Sequence, residues 1–196
     1  AVSPMVYYRY KGGNFDSSSK AELRKYIVIA QVRQIFGTAS NSALTSIREA
    51  LKAAPSNSFS MKNLNGIRFT GDRTLRYNAD EIDAMFDTYE IGAYTFMLLS
   101  LLYPNLKYSQ KGFHQDHMHP YTGFEEGKIK DLVLPDGTVI DDDTKEVWRR
   151  RRNTLANLQL LEGRENESKN ATPLVDWLKV TENSENAKYL PSDVSY

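Results

Sequence analysis

The sequence predicts an α+β fold, mainly α, with a helical region over residues 1–105 followed by a smaller mixed region over residues 106–196. Three observations carry this expectation. Before Leu106, apolar residues recur at helical spacing in one segment after another. From Leu106 onward the texture changes to short apolar runs separated by turn residues. The second region also holds all three histidines of the chain, gathered into Phe113–Pro120 as F-H-Q-D-H-M-H-P.

The elements follow in chain order. Ser17–Ser19 precede a helical pattern from Lys20 to Phe36, with Leu23, Tyr26, Ile27, Ala30 and Ile35 on one face and Gly37 as a stop. Asn41 and Ser42 can cap a second helix, Ala43–Ala54, whose Ala43, Leu44, Ile47, Ala50, Leu51 and Ala54 form a stripe that ends at Pro55. A polar turn, Pro55–Ser60, follows. Asn78 with Glu81 forms a capping-box start for Ala79–Tyr89, and a strongly apolar helix runs from Ile91 to Leu102 before Pro104. Met85, Phe86, Tyr94, Phe96 and Met97 read as core, and Lys52, Lys62, Arg68 and Arg73 as solvated surface. Lys107–Phe113 suits a strand. Leu132–Ile140, with Pro135-Asp136-Gly137 at its centre, suits a hairpin, and Asp141–Arg152 has the acidic start and basic end that a helix dipole favours. Leu155–Leu161 alternates as a half-buried strand would, Gly163 breaks it, and Arg164–Leu178 reads as helical with an interruption at Pro173.

Composition narrows the function classes. Lys+Arg and Asp+Glu are 25 each, so the net charge is zero and no global basic character advertises nucleic-acid binding. A local cluster, Arg149, Arg150, Arg151 and Arg152, can serve that purpose instead. Cysteine is absent, which excludes disulfides, thiolate nucleophiles and Cys-ligated zinc. The most apolar run, Ala93–Tyr103, is much shorter than the roughly 20 residues that cross a bilayer. The expectation is a soluble, cytoplasmic protein without membrane partners. On that reading the sequons at Asn166 and Asn170 are chance matches. The opening A-V-S-P-M and the closing P-S-D-V-S-Y are those expected of a fragment of a longer protein.

The histidine stretch carries the chemistry. Histidine exchanges protons near neutral pH, and an adjacent aspartate is a hard ligand for a divalent cation. A base beside a metal ligand points to metal-assisted hydrolysis. About forty residues on stands N-T-L-A-N-L-Q-L-L-E-G-R-E-N-E-S-K-N, residues 153–170. Together the two stretches resemble an HNH nuclease site, in which one strand delivers an Asp-His pair, a second carries a structural Asn, and a short helix returns an Asn or His to the metal. The two stretches look like the HNH-type domain fused to ParB-like DGQQR domains in modification-dependent type IV restriction and phage-defence proteins. They are similar as well to the HNH domain of CRISPR RNA-guided nucleases in the order D-H, N, N-x-x-K. No DGQQR segment occurs in this sequence.

The resemblance implies a ββα-metal core and a DNA endonuclease using Mg²⁺ or Mn²⁺. His117 would be the general base and Asp116 with Asn166 the metal ligands, Asn170 being the nearby competitor. Asn157 would pin the His117 loop and orient the imidazole, with Asn153 as the alternative. Lys169, one turn beyond Asn166, can reach a phosphate. Arg149, Arg150, Arg152, His114 and His119 complete the expected DNA contacts, and tight binding would rely on a ParB-like NTP-binding domain or subunit outside this chain. The competing expectation from the same residues is a zinc-binding structural or nucleic-acid-binding module without catalysis, built on His114, His117 and His119 with Asp116.

Overall fold

The computed structural model describes residues 1–55, 58–134 and 136–180, apart from the side chain of Val175. Parts of two expected turns, at residues 56–57 and at Pro135, and the last sixteen positions of the expected second region, 181–196, lie outside the described residues. The protein is mainly helical with one two-stranded antiparallel sheet. Its chain divides into two compact units, Ala1–Ala79 and Asp80–Tyr196, upstream of the 105/106 boundary suggested by the change in texture.

In the first unit, helices α1 (Ser3–Tyr10), α2 (Ser17–Val32) and α3 (Ser40–Ala53) and a 3₁₀ turn at Met61–Leu64 enclose a core that includes Tyr8, Leu23, Tyr26, Ile35, Ile47, Phe59 and Leu64. Helix α2 starts earlier than its apolar pattern because Asp16, not a serine, is the cap: its carboxylate accepts the Ser19 N–H at 2.8 Å. It also ends earlier than Gly37. Gln34 takes the left-handed conformation, φ 50°, and the Ile35 N–H reaches back to the Ala30 carbonyl at 2.9 Å, which closes the helix and drives Ile35 into the core. Arg73, expected on the solvated surface, donates to the Gln34 carbonyl at 2.5 Å and the Thr70 carbonyl at 2.9 Å. Helix α1 is not signalled by any strong sequence pattern. Lys11, at its end, places its ammonium on the Leu51 and Lys52 carbonyls at 2.6 and 2.9 Å, where the last turn of α3 leaves acceptors without intrahelical partners.

The second unit contains α4 (Ala79–Thr88), α5 (Ala93–Leu102), β1 (Phe113–His117), α6 (Glu126–Ile129), α7 (Asp142–Arg151), β2 (Leu158–Glu162), α8 (Gly163–Lys169) and α9 (Leu174–Lys179). Helix α5 is apolar all round, so periodicity cannot select its inner face. Thr95 and Leu99 are buried, whereas Phe86 and Tyr94, expected in the core with Met85, stay exposed. Helix α7 has the expected dipole-matched ends and is capped by Asp141, which accepts the Thr144 N–H at 2.8 Å. The expected hairpin shrinks to one bridge, Val133 with Val139, closed through Gly137 at φ 86°.

The strand that carries the histidines is displaced from its expected place. Lys107–Lys111 form a turn, and β1 is the His cluster itself, paired with β2 in the register Asp116↔Gln159 and His117↔Leu158. Strand β2 is buried on both faces at Leu158, Gln159, Leu160 and Leu161, which is why a simple in–out alternation does not define it. Its expected first residues, Leu155–Asn157, form a 3₁₀ turn instead. Helix α8 follows β2 directly and packs on both strands. Asn170, φ 45°, and Pro173 then separate it from α9, as the proline position implied.

Candidate functional site

The last two residues of β1, Asp116 and His117, line an open pocket of ≈ 190 Å³ together with Pro120, Tyr121, Thr122, Lys169, Asn170 and Ala171. Three backbone and side-chain systems hold this wall.

The first is Asn157. Its Oδ1 accepts the His119 N–H at 2.8 Å, and its Nδ2 donates to the His119 and Arg152 carbonyls at 2.8 and 2.9 Å. Its own carbonyl accepts the Met118 N–H at 2.9 Å, so β1 continues one bond past its last strand residue. These bonds pull Asn157 out of β geometry and fix the loop that leaves His117. Asn157 is buried, and its side-chain bonds all go to backbone groups.

The second is Asn153, at the end of α7. Its Oδ1 lies 3.0 Å from His117 Nε2. An amide oxygen can only accept, so the ring donates through Nε2–H, and in the neutral ring the basic nitrogen is Nδ1. The two tasks that the sequence reading assigned to one asparagine are divided: Asn157 pins the loop and Asn153 orients the ring. The Tyr121 ring packs against the imidazole with centroids 5.8 Å apart.

The third is Lys169. The sequence places it at a phosphate, but it is 1% exposed and its ammonium turns inward to Asp116 Oδ2 at 2.9 Å and the His117 carbonyl at 2.7 Å. The physical reason is the short α8: running back across both strands, it puts its last turn under the end of β1. Gln159, fully buried opposite Asp116 in the register, donates to the same oxygen at 3.0 Å. Asp116, with its side chain 11% exposed, is therefore charge-compensated and aimed by two donors on one oxygen. Sequence reasoning missed Gln159, although the pairing of two strands in register is the kind of signal that points to it.

Of the two candidate amides, Asn170, just past α8, lines the pocket, whereas Asn166 stands one turn back in the helix, half-buried, with its carbonyl accepting the Asn170 N–H at 3.0 Å. The residues that line the pocket include one carboxylate, one imidazole and an amide, with the Lys169 ammonium bonded to the carboxylate. This set fits Mg²⁺ or Mn²⁺, which takes one or two protein oxygens and completes its shell with water and phosphate. It does not fit a closed zinc site. Among the described residues no three His, Asp or Glu side chains converge on one point. His114 lies against Gly163, His117 is bonded to Asn153, and His119 packs edge-on to Phe124 with centroids 6.4 Å apart. Desolvation and, secondarily, the Lys169 charge hold His119 below the ordinary histidine pKa.

No family model matches this chain, and no curated protein matches it. Among the described residues, no helix is long and apolar enough to cross a membrane.

The arginine cluster does not act as a block. Arg149 pairs with Glu146 at 3.0 Å on its own helix, and Arg150 and Arg151 both close on Asp87 of α4, at 3.2 and 2.8 Å. Neither Arg149 nor Arg150 lines the pocket. The bond from Arg151 first, then that from Arg150, holds the Asp87 carboxyl down to about 2. A folded value below the unfolded one, roughly 3.9, means that the contribution of this cluster is complete above pH 4 and is lost as pH falls through about 2. A carboxyl-carbon NMR titration is expected to place the Asp87 midpoint near the lower value, and a midpoint at the free-aspartate value would mean that the arginines release it in solution.

Proposed function

We propose that the second unit is a metal-dependent HNH-type endonuclease domain that hydrolyses DNA phosphodiesters in the cytoplasm, in restriction or phage defence. One observation carries the reading: two antiparallel strands and the helix that follows them bring Asp116, His117 and the end of α8 to one pocket, with an asparagine bolting the loop between them. That is the order of parts in a ββα-metal site, reached here by a chain whose motifs already resembled one.

In the proposed reaction His117 takes the proton of the attacking water at Nδ1, the nitrogen left basic by the bond to Asn153. As the ring becomes positive, the Asn153 oxygen on Nε2–H stabilises the imidazolium and keeps the ring from rotating. Asn157 holds the loop against Arg152, so the base and its orienting residue stay in register. Lys169 and Gln159 hold one oxygen of Asp116, which presents the carboxylate to the pocket. A divalent cation held by Asp116 with Asn170, the competitor to Asn166 that lines the pocket, would neutralise charge on the phosphate and assist the departing oxygen. A ParB-like NTP-binding domain or subunit outside this chain would supply tight DNA binding, since the net charge of the chain is zero.

Plasmid DNA, unmodified and modified at its bases, tests the reading. Incubation with the protein and Mg²⁺ or Mn²⁺ is expected to give nicked or linear product, and EDTA is expected to stop it. Folded protein that leaves every plasmid intact with either metal would count against a nuclease.

A further inference from the structure

We propose that Arg152 is the phosphate clamp of this pocket and that Tyr121 is its positioning residue, an assignment that rests on the nuclease reading above. The sequence offered Lys169 and a run of arginines for this task without distinguishing among them. The geometry distinguishes them. Lys169 is turned inward to Asp116, Arg149 is neutralised by Glu146, and Arg150 and Arg151 share Asp87. Arg152 makes no ion pair among the described residues, and its guanidinium carbon lies 4.2 Å above the centre of the Tyr121 ring.

That stacking matters chemically. A guanidinium held over a ring, with no carboxylate partner among the described residues, keeps N–H groups for a ligand, and its planar fork is what grips two phosphate oxygens at once. Tyr121 is 40% exposed and forms part of the pocket wall, and its ring also contacts the His117 imidazole. The backbone beneath is fixed as well, because Asn157 donates to the Arg152 carbonyl and the next residue, Asn153, holds His117. His117, Tyr121, Arg152 and Asn153 thus close a ring of contacts that joins the base to the clamp. The ligand is a phosphodiester whose non-bridging oxygens meet Arg152 while its phosphorus faces the water on His117.

The test is binding of a fluorescent DNA duplex by the full chain in EDTA, followed across a salt series by anisotropy, beside plasmid cleavage in Mg²⁺. Arg152→Ala is expected to weaken binding about 10-fold and to flatten the salt dependence by about one counterion, more than the matched Arg149→Ala. Arg152→Lys keeps the charge without the planar fork and is expected to recover only part of the affinity. Tyr121→Phe is expected to bind as wild type. Tyr121→Leu is expected to lose affinity, with no further loss when combined with Arg152→Ala. Unchanged thermal unfolding midpoints show that the variants fold. Cleavage by wild type with Arg152→Ala indistinguishable from Arg149→Ala, or additive losses at Tyr121 and Arg152, would overturn the clamp and leave the nuclease reading standing. A wild type that neither cuts nor binds DNA would overturn both.

Discussion

Replacing His117 with alanine is expected to lower metal-dependent plasmid cleavage by about 10²–10⁴-fold, the usual worth of a positioned general base. The fold should survive, because the ring is half-buried and its hydrogen bond, to Asn153, is one that water can replace. Asn153→Ala is expected to give a smaller loss than His117→Ala, since the ring remains but its tautomer and rotation are no longer fixed. Initial rates of nicking in Mn²⁺, with circular dichroism to verify folding, make the measurement. An Asn153→Ala protein with wild-type rates would mean that the contact is only a resting arrangement. Retained cleavage by His117→Ala would remove the residue on which the mechanism turns.

The largest effect on stability is expected at Lys169. Lys169→Met removes the ammonium from beneath Asp116 and strands a carboxylate whose side chain is 11% exposed. It also leaves the His117 carbonyl without the donor that now lies 2.7 Å away. Breaking a buried pair from one side costs about 3–5 kcal/mol, far more than the pair itself contributes. Urea unfolding of wild type, Lys169→Met and the double variant Lys169→Met/Asp116→Leu decides the matter. The single change should lower the midpoint sharply, and the double change should recover a substantial part, because no uncompensated charge remains. A single variant as stable as wild type would show that Lys169 is not structural and can swing out to substrate. Both Lys169 variants should also cut poorly, but for different reasons: the first misplaces Asp116, and the second lacks it.

Signals that act over a few residues were legible in the chain. The dipole-matched α7 with its Asp141 cap, the apolar stripe of α3, the break at Pro173 and the Asp-His pair are each encoded in side chains within about one helical turn of each other. The expected end of α2 at Gly37 failed because Gln34 adopts a left-handed conformation that glycine ordinarily supplies, stabilised by burial of Ile35. The expected core of aromatics on α4 and α5 failed at Tyr94 because the strongly apolar α5 has no periodicity to read, and at Phe86 because α4 buries Met85 beside it instead.

What the sequence by itself determined, then, was a mainly helical α+β chain and the small set of residues able to do chemistry, since residue type and local spacing suffice for both. Which of those residues meet was decided by tertiary structure. Asn153 and Asn157 lie 36 and 38 positions from their partners at His117 and His119, and Lys169 lies 52 from His117. Such partners are chosen by the pairing register of β2 on β1 and by the direction in which α8 crosses the strands. Packing of buried leucines sets both. That is why Lys169 faces inward, Asn170 rather than Asn166 lines the pocket, and Arg152 lies over Tyr121 of the pocket wall.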